Sequence, residues 1–125
     1  MPTHTADPPI RLEALRPEHL SACLALDQAA LGGLWSDSQW GSELADEQRP
    51  GLGLWQGEEL LAFACGLLVL DELQITTLAV DPGHRRQGLG RRVIQAFLEQ
   101  AREAGAQRAT LEVASDNTAA GALYA

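Results

Sequence analysis

A short segment rich in arginine and glycine is the part of this sequence whose residue types most clearly indicate ligand chemistry. Residues 85–92 read Arg-Arg-Gln-Gly-Leu-Gly-Arg-Arg, between an apolar run that ends at Val80 and a stretch with helical spacing of apolar residues. Glycines let the backbone approach a ligand, and the unbonded N–H groups at the start of a helix attract anions. The segment therefore predicts a site for a phosphate or pyrophosphate.

The spacing of the glycines excludes two common phosphate-binding motifs. A Walker loop requires lysine, whereas all nine basic residues of this chain are arginine. A dinucleotide-binding fingerprint requires a third glycine where this chain has Val93, and no parallel strand-helix-strand unit precedes the segment. What remains is Arg85-x-x-Gly88-x-Gly90, a pattern short enough to need support from its context.

Length and composition indicate one domain. The chain has 125 residues, 46% of them hydrophobic, which suits a single core over residues 10–125 preceded by a loose tail at residues 1–9. The tail lacks the features of a secretory signal. The longest apolar run, residues 60–70, is far shorter than the roughly 20 residues that a membrane span requires. We therefore expect a cytoplasmic protein without a membrane partner.

Charge and cysteine usage narrow the partners further. A net charge of −8 argues against direct nucleic-acid binding and favours basic partners. Cys23 and Cys65 match no metal or redox spacing, so we predict buried free thiols. The three histidines, His4, His19 and His84, form no metal-like cluster, and no metal is expected.

Periodicity predicts the element order β-α-α-β-β-β-α-β-α. The predicted strands cover residues 10–15, 53–55, 60–70, 73–80 and 108–113. The predicted helices begin at Pro17, after Ser36, at Gly88 and at Asn117; the second runs to about residue 47, and Gly105 ends the third. Early hairpins followed by one strand-helix-strand crossover predict an α/β fold with a central mixed sheet and helices on both faces.

The start of the second helix carries a more detailed local signal. Ser36 and Gln39 have the spacing of a capping box. Trp35 and Trp40 flank this box at the positions of a hydrophobic staple, which we favour over a platform for a bound acceptor.

Several motifs in the same order resemble one enzyme family. Leu78-Ala79-Val80-Asp81-Pro82 followed by residues 85–90 resembles the acetyl-CoA-binding motif of the GNAT N-acetyltransferases. Leu111-Glu112-Val113, Asn117 and Leu123-Tyr124 are similar to the pattern of bacterial ribosomal-protein-alanine N-acetyltransferases, as are Trp35-Ser36 and residues 69–72. The resemblance covers nearly the whole chain from Ile10 and implies a GNAT-like fold.

The resemblance implies acetyl-CoA as cosubstrate. The pyrophosphate would bind to the glycine-containing loop, and the pantetheine arm would bond to the backbone of the preceding strand. Asn117 would contact the cofactor, although it equally suits the N-cap of the last helix. The alternative for the loop is a turn with solvated arginines. The implied cofactor-binding residues are Leu78, Ala79, Val80, Arg85, Arg86, Gln87, Gly88, Leu89, Gly90, Arg91 and Asn117.

Acetyl transfer to an amine requires a proton acceptor for the amine and a proton donor for the departing thiolate. Glu112 and Tyr124 are residue types able to do this, and the resemblance implies that Glu112 accepts and Tyr124 donates. An outward-facing strand residue and a core aromatic residue are the alternatives. An α-amino group has a pKa near 8 against about 10.4 for lysine, which slightly favours an N-terminal acceptor.

We therefore predict an N-acetyltransferase that acts on a protein N-terminal amine, such as the alanine of a ribosomal protein. The alternatives are a catalytically weak acyl-CoA-binding or interaction module and a GNAT enzyme acting on another amine. Ala114 replaces an arginine of the subfamily pattern, and the subfamily's last two strands are missing after Tyr124. Without them, residues 108–113 would have an exposed edge. Either the sequence is truncated, or a partner completes the sheet, with a homodimer as one possibility.

Overall fold

The computed structural model describes residues 9–111, which form a five-stranded mixed sheet with helices on both faces. The strands run in the spatial order β1-β2-β3-β4-β5. They comprise β1 (Ile10–Ala14), β2 (Gly51–Gln56), β3 (Glu59–Val69), β4 (Glu72–Val80) and β5 (Arg108–Leu111). The helices are α1 (Leu20–Leu31), α2 (Asp37–Ala45) and α3 (Leu89–Glu103), with 3₁₀ turns at Pro17–His19 and Pro82–His84.

The sheet has an antiparallel part and one parallel pair. Strands β1 to β4 pair antiparallel with their neighbours, and β5 pairs parallel with β4 after the crossover through α3. The predicted meander and the predicted strand-helix-strand crossover are both confirmed. The crossover brings the start of α3 to the carboxyl end of β4, where residues 85–88 connect the two elements.

Two apolar clusters fill the two sides of the sheet. Helix α3 buries five residues at helical spacing against one face: Leu89, Val93, Ile94, Phe97 and Ala101. Helices α1 and α2 cover the other face, where Cys23, Trp40 and Phe63 are fully buried. The two clusters confirm the expectation of helices on both faces, and each contributes the hydrophobic burial that holds a layer in place.

Local signals set most of the helix ends. The N–H of Gln39 donates to Ser36 Oγ at 3.2 Å, and the N–H of Ser36 donates to Gln39 Oε1 at 2.8 Å, which confirms the capping box. The rings of Trp35 and Trp40 lie 4.8 Å apart, as the staple requires. After α3, Gly105 adopts a left-handed φ of 105°, and the N–H of Ala106 closes the end by donating to Ala101.

The predicted boundaries need small corrections. Pro17 begins a 3₁₀ turn and not the α-helix, which starts at Leu20. Helix α2 ends at Ala45, two residues early, and Gly51 belongs to β2 because Cys65 pairs with it across the sheet. Tertiary pairing, which local propensity does not contain, accounts for the last difference.

Some predictions fall outside the described residues. The tail, the last helix, Glu112, Asn117 and Tyr124 all lie there. Of the helices between residues 9 and 111, none has the length and apolar character needed to cross a membrane.

Candidate functional site

The predicted anion-binding loop lies at the carboxyl end of β4 and leads directly into α3. Arg86 and Gly88 both have left-handed backbones, with φ of 68° and 77°. The helical hydrogen bonds of α3 begin at Arg92, whose N–H donates to the carbonyl of Gly88 at 3.0 Å. The N–H groups of Leu89, Gly90 and Arg91 precede it, at the positive end of the helix dipole. This arrangement is suited to a phosphate group.

The side chains of the loop carry positive charge that acidic residues elsewhere do not neutralise. Arg85, Arg86, Arg91 and Arg92 are exposed, and within residues 9–111 none of them lies within 4.0 Å of a carboxylate. The other five arginines are paired: Arg11 and Arg16 with Glu13, Arg49 with Glu43 and Asp46, Arg102 with Glu99, and Arg108 with Asp71. In so acidic a protein, the loop therefore retains its charge for an anionic ligand.

The strand before the loop offers backbone groups for the rest of a long ligand. Leu78 and Ala79 are buried in the core, and with Val80 they pair with β3 on one side. On the other side, the described part of β5 pairs only with residues from Glu72 to Ile75. Among described strands, nothing pairs with that edge of β4 from Thr76 to Val80. Its free N–H and C=O groups resemble those of an edge strand ready to bond an extended chain.

An irregularity bends β4 where this free edge begins. Cys65 pairs with Thr77 and Gly66 pairs with Ile75, so Thr76 is an extra residue on β4. Such a bulge bends its strand and is frequent beside functional sites. Nothing in the residue pattern of β4 predicted it, because a bulge depends on the register with the neighbouring strand.

A polar turn supports the loop. His84 Nδ1 lies 2.7 Å from Asp81 Oδ2, and the N–H of Gly83 donates to the same oxygen at 3.2 Å. Glu59, from the start of β3, brings a carboxylate oxygen as a third potential ligand atom, within 4.8 Å of those of Asp81 and His84. The sequence analysis did not predict this grouping, because Glu59 is distant along the chain. Asp81 acts here as the residue that holds the turn before Arg85.

The helical layer on the other face reaches the loop through α1. Arg85 Nη2 donates to the carbonyl of Ala30 at 3.5 Å, near the end of that helix. Asp27 of α1, which is 1% exposed, holds the segment that follows this helix. Its carboxylate accepts from the N–H of Leu34 at 2.7 Å, the N–H of Trp35 at 3.0 Å and the indole of Trp40 at 2.8 Å. The connection from α1 to α2 is thereby fixed beside the loop.

The sequence analysis missed Asp27, although a signal was present. Asp27 follows Leu20 by seven positions and Cys23 by four, so it belongs to the buried stripe of α1. An acidic residue on an apolar stripe requires hydrogen-bond donors, and it could have been identified as an anchor.

The two cysteines are buried free thiols, as predicted. Burial raises the pKa of the Cys23 thiol to about 12 and the pKa of the Cys65 thiol well above its ordinary value. Both remain protonated near neutral pH, which makes them poor nucleophiles.

The structure brings together the predicted loop residues and the end of β4, whereas the roles of Glu112, Asn117 and Tyr124 stay predictions, because these residues lie outside the described range. The strand residues Leu78 to Val80 end β4, and the predicted loop from Arg85 to Arg91 follows them into the first turn of α3.

Comparisons with known proteins agree with this geometry. The sequence model of the Acetyltransferase (GNAT) family matches residues 12–125. The ribosomal protein bS18-alanine N-acetyltransferase of Escherichia coli K12 is 34% identical over 113 residues, which cover 90% of this chain and 76% of that protein. The N-alpha-acetyltransferase RimI of Mycobacterium tuberculosis is 32% identical over 127 residues, covering 96% and 78%.

Solved structures show the same fold. The crystal structure of the ribosomal-protein-S18-alanine N-acetyltransferase from Escherichia coli has a TM-score of 0.83 at 33% identity and covers 93% of this chain and 74% of that one. The PaiA N-acetyltransferase from Thermoplasma acidophilum, in complex with coenzyme A, has a TM-score of 0.80 at 14% identity and covers 93% and 86%. The chain therefore belongs to the GNAT acetyltransferase family and is an acetyl-CoA-dependent N-acetyltransferase.

Proposed function

We propose that this enzyme acetylates the N-terminal amine of a protein, with the alanine of a ribosomal protein as its acceptor. The observation that carries the proposal is the 34% identity to the bS18-alanine N-acetyltransferase over 90% of the chain. The higher acidity of an α-amino group compared with a lysine side chain supports an N-terminal acceptor, since less work is needed to deprotonate it.

The loop residues hold the pyrophosphate of acetyl-CoA. The N–H groups at the start of α3 and the four arginines that no carboxylate of residues 9–111 contacts fit a group with two negative phosphates. Glycine is suited to position 88 of this loop, because the φ of 77° found there is unfavourable for a residue with a side chain. The pantetheine arm lies along the free edge of β4 and bonds to the backbone of Leu78, Ala79 and Val80.

Catalysis requires three proton transfers around one substitution at the thioester carbon. Glu112 accepts the first proton from the acceptor ammonium and releases it to solvent, and the free amine then attacks the acetyl carbonyl. As the carbon–sulfur bond breaks, Tyr124 donates a proton to the departing thiolate, and it is reprotonated by the proton that the attacking nitrogen loses on becoming an amide. Asn117 contacts the cofactor. These roles rest on the resemblance and on position along the chain: Glu112 directly follows Leu111, which lies opposite Ile75 at the start of the free β4 edge.

The wider organisation of the protein follows from the same proposal. Residues 10–125 form one acetyltransferase domain after a tail at residues 1–9. It acts in the cytoplasm on a basic acceptor, without a membrane, a metal or direct nucleic-acid contact. Analytical ultracentrifugation of the purified protein tests whether it forms a homodimer.

Turnover of a peptide that begins with alanine tests the function directly. Acetyl-CoA and such a peptide should release free thiol, and mass spectrometry should place the acetyl group on the α-amine. Glu112→Gln should slow release while calorimetry still shows coenzyme A binding. Unchanged turnover by Tyr124→Phe would remove that residue from the mechanism. Coenzyme A binding without turnover on any amine would favour an acyl-CoA-binding module.

A further inference from the structure

The face of the sheet covered by α1 and α2 buries a second carboxylate that, unlike Asp27, has a single donor. Glu43 of α2 is 7% exposed. Arg49 Nη1 donates to its Oε1 at 3.4 Å, and its Oε2 has no hydrogen-bond partner among residues 9–111. Charge-assisted hydrogen bonds between a cation and a carboxylate are typically about 2.7–2.9 Å long, so this contact is a loose one. Burial raises the pKa of the Glu43 carboxyl, and the neighbouring Arg49 only partly offsets this.

Glu43 lines a surface cleft with a volume of about 330 Å³. Ser38 and Ser42 of α2 and the Trp35 before it also line the cleft. Asp46 and Arg49 complete the lining, and Arg49 Nε lies 3.5 Å from Asp46 Oδ2. The cleft thus holds two carboxylates against one guanidinium, with hydroxyls and an indole around them.

This composition suits a cationic side chain. An entering ammonium or guanidinium would give Glu43 Oε1 and Asp46 a second donor, and the Trp35 ring offers a face for it to stack against. Arg49 is no barrier, because its side chain is 38% exposed and its contacts to Glu43 and Asp46 are long. An anionic guest would meet two carboxylates against one guanidinium, and an apolar guest would desolvate them without supplying a donor.

The cleft is connected to the cofactor loop through the α1–α2 connection. Trp35 is held by Asp27 and follows Ala30 by five residues, and Ala30 accepts the hydrogen bond from Arg85. The cleft then continues along α2 to Arg49. An extended peptide with its first residue near the cofactor would therefore have its later residues along α2.

We propose that this cleft binds an arginine or lysine side chain of the acceptor, located a few residues after the amine that is acetylated. The inference rests on the proposed function and deepens it, since it makes Glu43 a residue that sets acceptor specificity. Asp27, on the same face, has all the donors it needs and plays no direct part in this recognition.

A peptide scan with a matched variant tests the cleft. One arginine is moved through positions two to six of a glycine-rich hexapeptide that begins with alanine, and each peptide is compared with its citrulline counterpart, which is similar in shape but uncharged. At one or two positions we expect kcat/KM to be about tenfold higher for arginine, an effect between that of an exposed and that of a buried ion pair. Glu43→Gln should reduce this ratio of arginine to citrulline peptide to about one.

Glu47→Gln is the control, because it removes the same charge from an exposed position just beyond α2. It should retain the arginine preference. Equal rates for arginine and citrulline peptides in the unmodified enzyme would overturn this inference and leave the proposed function intact. So would an arginine preference that survives Glu43→Gln. If no peptide is acetylated although coenzyme A binds, the proposed function fails and the inference falls with it.

Discussion

On one face of the sheet, the start of α3 and the loop before it carry four arginines that no carboxylate of residues 9–111 contacts, whereas on the other face α1 and α2 bury two carboxylates, Asp27 and Glu43. The arginines are exposed and the carboxylates are not. A cofactor with a pyrophosphate can bind exposed charges without a large desolvation cost, because the cations remain hydrated until it arrives. A buried charge must be satisfied by the fold or by a ligand.

The two carboxylates on the helical face show both solutions. Asp27 receives three donors between 2.7 and 3.0 Å, all from the α1–α2 connection and α2. Glu43 receives one contact of 3.4 Å. Both carboxylates are buried, but the hydrogen bonds of Asp27 fix the local structure, whereas Glu43 can still accept a hydrogen bond from a ligand. The following experiments test this difference and the separate role of the arginine loop.

The largest effect is expected at Asp27. Asp27→Ala leaves one buried and two half-buried donors without their acceptor, so the free energy of unfolding should fall by about 3 kcal/mol in urea denaturation. Asp37→Ala, at an exposed position in the first turn of α2, should change it by less than about 1 kcal/mol. Similar losses for the two variants would show that Asp27 is not an anchor.

The arginine loop should respond in cofactor affinity and not in stability. Arg91→Gln removes a charge near the pyrophosphate, and the Kd for coenzyme A measured by calorimetry should rise about tenfold. Arg102→Gln removes the same charge three turns along α3, where the side chain is 77% exposed and contacts Glu99. It should leave the Kd within about twofold of the unmodified protein, because surface ion pairs contribute little. Equal weakening by both variants would indicate a diffuse charge effect.

A smaller effect is expected from the loop backbone. No atom lies within 4 Å of a Cβ placed on Gly88, so Gly88→Ala is penalised only by its left-handed φ, at about 1 kcal/mol of unfolding free energy. Gly41 in α2 has equally open surroundings but no positive φ. Gly41→Ala should therefore stabilise the protein by about 0.5–1 kcal/mol. A loss of stability in both would contradict the conformational explanation.

The smallest stability change is expected at Glu43, with a characteristic pH dependence. Its carboxyl pKa is higher in the folded protein than the ordinary 4.5. The folded state therefore binds its proton more readily, and Glu43 lowers stability as the pH rises above 4.5. Glu43→Gln should thus be at least as stable as the unmodified protein at pH 7, and its advantage should shrink towards pH 4. A clear loss of stability at pH 7 would place Glu43 in the same class as Asp27.

Prediction from the sequence succeeded unevenly in the two helical layers. In α3, the apolar residues at helical spacing from Val93 to Ala101 are the ones that are buried, so its face was predictable. In α1, nearly every side of the helix carries Leu or Ala, and the buried positions are Cys23, Leu26 and Asp27. A helix that is apolar on all sides gives little indication of its orientation, so the one sequence signal for the buried stripe was Asp27 itself, an acidic residue among apolar neighbours.

The sequence by itself determined the features that depend on near neighbours: the capping box at Ser36, the turn at Gly88, the end of α3 at Gly105 and the concentration of arginine in the loop. Each arises from dihedral preference or from spacing within a few residues. Tertiary structure alone decided which arginines find carboxylates, where the pairing of β5 with β4 stops among the described residues, and why Asp27 is satisfied and Glu43 is not. These depend on groups brought together from distant parts of the chain, because hydrogen bonds and ion pairs form only where packing places their partners.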